Sequence, residues 1–241
     1  MNAIAASITA PQGFQAAGVA CGLKKDGRPD LALVVSDYPA TVAGVFTRNL
    51  VKGHSLQLSQ DNCRGGVARA VVVNSGNANA AVGEPGLQDA RTMAASVASL
   101  LGCPDTQVLT GSTGVIGKRL DMDAVTRGIG AAYSGLSASA DAGHQAEQAI
   151  MTTDRVPKES AVCLDIGGKT VTIAGMAKGS GMIHPNMATM IALLTTDCAV
   201  SSELLGKLLR RVADRTFNRV SVDGDTSVCD MVLVLANGAA G

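Results

Sequence analysis

The sequence predicts an α+β fold in which helices pack on layered, largely antiparallel sheets. Short apolar runs of strand length, divided by turn residues, fill much of residues 17–75. Later stretches carry apolar residues at helical spacing, notably around 87–101 and 204–212. The two kinds of segment do not alternate as a regular βαβ series, so a doubly wound parallel sheet is not expected. Hydrophobic residues make up 46% of the chain but aromatics only 2%, with no Trp. Such a core must be built from Ala, Val, Leu, Ile and Met, which suits close packing of helices on sheets.

Taken in order, residues 17–75 read as β, with runs at Leu31–Val35, Val42–Phe46 and Val67–Val73. A helix follows, entered through Pro85-Gly86, with Leu87, Ala90, Met93, Ala94, Val97, Leu100 and Leu101 on one face. Gln88, Asp89 and Arg91 point the other way. Gln107–Leu109 reads as a strand leading into the glycine-rich Gly111–Gly117. Residues 121–133 and 142–151 read as helical, and Ser134–Gly143, small and polar, is the most loop-like stretch. Val162–Leu164 and Lys169–Ala177 form a hairpin around Gly167-Gly168. Met190–Leu194 is a short apolar strand. Ser201 or Ser202 then caps a helix whose apolar face is Leu204, Leu205, Leu208, Leu209 and Val212. Val232–Leu235 is the last strand. There is no internal repeat and no low-complexity linker.

Composition also narrows function. The formal net charge is +0, from 20 basic and 20 acidic residues. With no basic surplus and few aromatic rings to stack bases, nucleic acid is not an expected partner. The six cysteines (Cys21, Cys63, Cys103, Cys163, Cys198, Cys229) form no CxxC pair and read as reduced, mostly buried thiols. His54, His144 and His184 share no ligand spacing, and no metal site is expected from them. Asp223-Gly-Asp225 fails as a calcium loop because its sixth and twelfth positions hold Val228 and Val234. No span approaches ~18 apolar residues, and the amino end carries neither a signal-like nor an Arg-rich amphipathic segment. The expectation is a soluble cytoplasmic protein with no membrane contact.

The most informative stretch is Lys178-Gly-Ser-Gly-Met-Ile-His-Pro-Asn-Met-Ala-Thr-Met190. A threonine hydroxyl is a poor nucleophile until a base takes its proton. One solution makes it the first residue of a chain, so that its own α-amine, with pKa near ~7.7–8.0, serves as that base. That requires cutting the Ala188–Thr189 bond, which Gly179, Gly181 and Pro185 could help strain. On composition alone, a glycine-rich turn feeding a buried strand is the favoured reading. Gly111-Ser-Thr-Gly-Val-Ile-Gly-Lys118 is not a Walker phosphate loop, since Ser112 and Arg119 both break that pattern. It can either aim backbone N–H groups at an oxyanion or serve as a plain helix-entry turn. Asn74, Asn77 and Asn79 read as turn-making and backbone-capping residues.

Several further segments occur in a telling order. They are Thr9–Phe14 with Ala17–Gly22, Asp30–Asp37, Ala40–Thr47, Val72–Ala80, Ser112–Gly117, Met151-Thr-Thr-Asp154 and Ser221–Ser227. Together with Lys178–Met190 they resemble the ornithine acetyltransferase (glutamate N-acetyltransferase) family of arginine biosynthesis, over nearly all of the chain. The resemblance implies a self-processing acyltransferase fold. It implies self-cleavage between Ala188 and Thr189, giving an α-chain of residues 1–188 and a β-chain that begins with 189–241. It implies Thr189 as nucleophile, an oxyanion hole at Thr113 and Gly114, and substrate binding by Thr152, Lys178 and Thr189. The implied reaction moves an acetyl group from N2-acetylornithine to glutamate through acetyl-Thr189, with no cofactor; some relatives also accept acetyl-CoA. The implied assembly is a heterotetramer of two α and two β chains.

Related self-processing folds include aminopeptidases and amidases, so hydrolysis stands as an alternative. An inactive fragment is another, because family members continue past Ala236-Asn-Gly238 with a substrate-binding glutamate and an asparagine and threonine that close the site. On that basis this chain alone is expected to be weak or inert, with the helix at 202–216 and the strand at 232–235 losing part of their cover. Departures from the family pattern fall at Ala81, Arg155 and Val228-Cys229.

Overall fold

Period-two burial along one long strand, β3 (Leu31–Phe46), organises the molecule. Leu31, Leu33 and Val35 point into one apolar cluster and Ala32 and Val34 into another. The ladder is irregular between Val35 and Ala40, a stretch that includes Pro39, which has no N–H to donate. Beyond the irregularity Ala40 and Val42 rejoin the second cluster, while Ala43 faces a third. Two segments that read as separate strands are therefore one strand with a bend.

In this computed structural model, residues 2–4, 7–182 and 190–241 are described. The other strands are β1 (Asn2–Ile4), β2 (Phe14–Val19), β4 (Val67–Asn77), β5 (Val108–Val115), β6 (Glu159–Ile166), β7 (Lys169–Lys178), β8 (Ile191–Thr196) and β9 (Met231–Ala236). They hydrogen-bond in the order β1-β6-β7-β8-β9-β3-β4-β5, with β2 added on β3. Pairings β4–β5 and β8–β9 are parallel and the others antiparallel. The largely antiparallel α+β expectation holds. Each parallel pair is bridged by a helix, α2 (Glu84–Leu101) or α5 (Ser202–Arg215), so two βαβ units lie inside the fold.

The bend in β3 turns this sheet into two facing layers. Phe14, Ala16, Ala32, Val34, Val71, Val73 and Leu109 from one half meet Met176, Ile191, Leu193, Met231, Leu233 and Leu235 from the other in a single core. α2 and α3 (Met122–Ser134) cover the outside of the first half, and α5 covers the outside of the second. α4 (Ala140–Ile150) contributes Ala146, Ala149 and Ile150 to the inner core. It packs so closely on β2 that a Cβ at Gly18 would lie 2.0 Å from the Gln145 carbonyl oxygen.

Three expectations need correction. Residues 17–75 are not all β, because α1 (His54–Asn62) lies within them. Its packed face is made of Ser55 and Ser59 as well as Leu56. Ser59 Oγ donates to the Thr110 carbonyl at 2.6 Å, and Thr110 Oγ1 donates to the Ser55 carbonyl at 2.8 Å. A face built from serines leaves no apolar helical period to read. The loop expected over 134–143 is shorter, since Ser139 caps α4 by accepting from Ala142 N. Finally, β9 lies inside the sheet and is fully buried. On α5 only Leu205 and Leu209 of the expected apolar face are buried, and Leu204, Leu208 and Val212 stay half-exposed.

Candidate functional site

At one end of the inner layer the strands carry polar side chains where the core positions should be. Thr113 on β5 shares its face with Leu109, and Lys178 on β7 shares its face with Met176. The two half-sheets thus aim a hydroxyl and an ammonium at each other. Lys178 Nζ donates to Thr113 Oγ1 at 3.0 Å, and the lysine is only 3% exposed. Burial pushes its pKa below 10.5, although the charges of Asp154 and Asp230 pull the other way. No hydrogen bond to a carboxylate is found for this ammonium among the described residues. A buried cation so placed is suited to receive an anionic group.

Around it lies a cavity of about 460 Å³, lined in part by Thr113, Gly114, Thr152 and Lys178. Four residues singled out by sequence therefore converge. Gly114 follows Thr113 with φ +134° and pairs with Gly76 of β4. A Cβ there would sit 2.4 Å from the Gly76 carbonyl carbon, so only glycine fits. No helix starts until Met122, which excludes the helix-entry reading of this loop. Beneath it runs a buried hydrogen-bond chain: Asn79 Nδ2 donates to Ser55 Oγ, Ser55 Oγ lies 2.7 Å from Ser112 Oγ, and Ser112 Oγ donates to Asn74 Oδ1. Asn77 donates to the carbonyls of Lys118 and Arg119. The three asparagines hold backbone and one another, and this fixes the end of β5.

Three buried aspartates that sequence reasoning passed over position the rest. Asp154 accepts from Gly179 N at 2.7 Å, Lys158 Nζ at 2.6 Å and Thr152 N at 3.1 Å. It ties the turn holding Thr152 to the backbone just after Lys178. Burial alone would raise its pKa, but Lys158 and the two amides hold it below the usual carboxylate value. Asp30 accepts from the backbone N–H groups of Cys21, Gly22, Leu23 and Lys24, folding that loop onto the cavity rim. Asp230 Oδ1 accepts from Met190 N at 2.8 Å, fixing the residue that follows Thr189 in the chain. Asp30 and Asp230 each stand immediately before a buried apolar run, one starting at Leu31 and the other at Met231. An acid abutting a buried run needs donors, and that was the available signal.

Ala188, Thr189 and His184 lie outside the described residues. The described chain leaves β7 at Lys178 and re-enters the sheet at Ile191, which pairs with Lys178. Cys229, on the cavity wall, has its thiol pushed up to about 12, chiefly by burial, which leaves it a poor nucleophile. Among the described residues no His, Cys, Asp or Glu group of three or more converges as a metal site. No helix among them is long and apolar enough to cross a membrane.

Lys178→Met is expected to raise the melting temperature while weakening the binding of carboxylates. Each kcal/mol recovered from the buried charge corresponds to about 2–4 °C. Because the folded-state pKa is depressed, the destabilising effect is complete at neutral pH. It is relieved as pH rises toward 10.5, where the unfolded chain holds more protons than the folded one. The gap between variant and wild type in thermal melts should therefore narrow with rising pH. A lower melting temperature for the variant at pH 7 would contradict this picture.

Comparison with known proteins gives the family. The model of the ArgJ family matches residues 15–241. The arginine biosynthesis bifunctional protein ArgJ of Symbiobacterium thermophilum is 52% identical over 243 residues, covering 100% of this chain and 60% of that relative. The chain thus spans about three fifths of that relative's length. A solved ornithine acetyltransferase from Mycobacterium tuberculosis, complexed with ornithine, is 40% identical with TM-score 0.71 and covers 76% of this chain and 97% of that one. An aminopeptidase-esterase/amidase from Ochrobactrum anthropi, described as a variant of the Ntn hydrolase fold, shares the fold alone, at 12% identity and TM-score 0.59 over 98% of this chain. With the sequence matching over nearly its whole length, the chain belongs to the ArgJ family.

Proposed function

We propose that this chain carries the greater part of an acetyl-transfer site that moves an acetyl group from N2-acetylornithine to glutamate in arginine biosynthesis. The observation that carries the reading is the buried Lys178 ammonium, 3.0 Å from the Thr113 hydroxyl in a cavity that also exposes Gly114 and Thr152. Lys178 pairs with the α-carboxylate that donor and acceptor share. Thr152, on the turn fixed by Asp154, faces the same ligand.

The nucleophile in this reading is Thr189, freed by a cut after Ala188 that leaves residues 1–188 as one chain and begins the second at Thr189. Its hydroxyl oxygen attacks the acetyl carbonyl, and its α-amine takes the hydroxyl proton. Thr113 and Gly114 stabilise the oxyanion, an effect of order ~2.7–4 kcal/mol per donor. The C–N bond then breaks, the proton passes to the leaving nitrogen, and ornithine departs. The amine of glutamate attacks the acetyl-Thr189 ester, N-acetylglutamate leaves, and the threonine hydroxyl is restored. Water is used only in the initial cut. Coverage supports that cut: the match is 76% of this chain yet 97% of the solved ornithine acetyltransferase chain, so that chain is shorter than this one. The Symbiobacterium relative is longer than this one.

The test is acetyl exchange by a protein extended with the downstream residues its relatives carry. Ornithine-dependent formation of N-acetylglutamate is the expected result. Release of free acetate with no transfer would replace this reading with a hydrolase.

A further inference from the structure

We infer that Lys24 selects the acceptor, its ammonium holding the second carboxylate of glutamate, a group that N2-acetylornithine lacks. The inference rests on the acetyl-transfer reading above and adds to it a residue for substrate choice. Donor and acceptor both present an α-carboxylate, so Lys178 cannot tell them apart. They differ at the far end of the side chain, where one carries an ammonium and the other a carboxylate. A discriminating group must therefore be a second charge facing the same cavity.

Lys24 meets that requirement. It lines the cavity together with Lys178 and Arg28, and no Asp or Glu is found among the described lining residues. Its backbone is fixed, because Lys24 N and the three preceding amides all donate to Asp30. Its stem lies over Gly76, where an added Cβ would be 3.4 Å from Lys24 Cγ. Gly76 in turn pairs with Gly114, so the lysine crosses directly beside the oxyanion loop. One of its three N–H groups donates to the Pro29 carbonyl at 2.7 Å, which anchors the head and leaves two for a ligand.

The nearby acids are already engaged. Asp30 accepts the four amides, and Asp26 pairs with Arg28 at 2.7 Å. Burial lowers the pKa of Lys24, Arg28 and Lys178 push it the same way, and Asp30 and Asp26 oppose them. The site is thus a cradle with two cationic ends, complementary to a dicarboxylate. The same charge repels the side-chain ammonium that N2-acetylornithine and ornithine share, so it disfavours both relative to glutamate.

Two measurements test this. In the extended protein, Lys24→Gln should raise KM for glutamate about tenfold without raising KM for N2-acetylornithine, and Lys24→Arg should restore most of the loss. A purely structural lysine would move both constants, or kcat alone. In calorimetry on residues 1–241, glutarate should bind more tightly than butyrate, and Lys24→Gln should remove that preference while far-UV circular dichroism stays native. An unchanged glutamate KM, or a glutarate preference that survives Lys24→Gln or is absent from wild type, overturns the assignment. Loss of acetyl exchange in the unmutated extended protein, with the Lys24-dependent glutarate preference intact, would instead overturn the transfer reading.

Discussion

Thr189→Ala is expected to leave the chain uncut and the extended protein without measurable acetyl exchange. The substitution removes the oxygen that, in the proposed mechanism, attacks both the Ala188 carbonyl and the acetyl group. Neither Thr113 nor the serines beneath the loop take its place in this account. Thr113 is engaged by Lys178, and the buried serines under the loop are bonded to one another. Threonine also becomes the first residue only if the cut occurs, so loss of the cut removes the base together with the nucleophile. Mass spectrometry of purified wild type should show one fragment ending at Ala188 and one beginning at Thr189; the variant should show a single mass. Cleavage that persists in Thr189→Ala would refute the mechanism, because no attacking oxygen would remain.

Gly114→Val should reduce turnover of the extended protein by on the order of 10²-fold or more. Two effects act together. A side chain at φ +134° is strained, and its Cβ would lie 2.4 Å from the Gly76 carbonyl carbon and 2.6 Å from Asn77 N. The end of β5 must therefore move away from β4, taking the proposed oxyanion donors with it. The displacement is local, since the asparagine and serine chain beneath still holds Ser112. Glutarate binding at Lys178 and Lys24 should thus survive in the folded variant, so that turnover falls while the ligand still binds. Near-normal turnover in a folded variant would place the oxyanion hole elsewhere.

Much of the fold was legible because burial follows period. The hairpin around Gly167-Gly168 is one case: both glycines have positive φ, at +61° and +81°, as a two-residue turn between paired strands requires. Helix α2 is another, with Pro85 in its first turn and Gly102 closing it in the left-handed region. Helix α1 was illegible because serines occupy its packed face and make hydrogen bonds there. The bend in β3 was also hidden, since Pro39 breaks the pattern and reads as a boundary between strands.

The candidate site divides in the same way. Thr113, Gly114, Thr152 and Lys178 were found by resemblance, and the structure brings them around one cavity. Asp30, Asp154 and Asp230 were missed because their role is to hold backbone amides, and sequence does not show which amides lie within reach. Lys24 was missed for a related reason. It faces the cavity only because Asp30 folds its loop, and nothing about an isolated lysine in sequence distinguishes it from a solvated one.

The most direct measurement of the central claim is the intact mass of the fragment that begins at Thr189, taken after mixing the extended protein with N2-acetylornithine alone. The account predicts a fragment heavier by one acetyl group, with the added group on Thr189 and an equal amount of ornithine released. Adding glutamate should return the fragment to its original mass and yield N-acetylglutamate. A fragment whose mass never changes while N-acetylglutamate accumulates would contradict the acetyl-threonine intermediate, and with it the role assigned to Thr189.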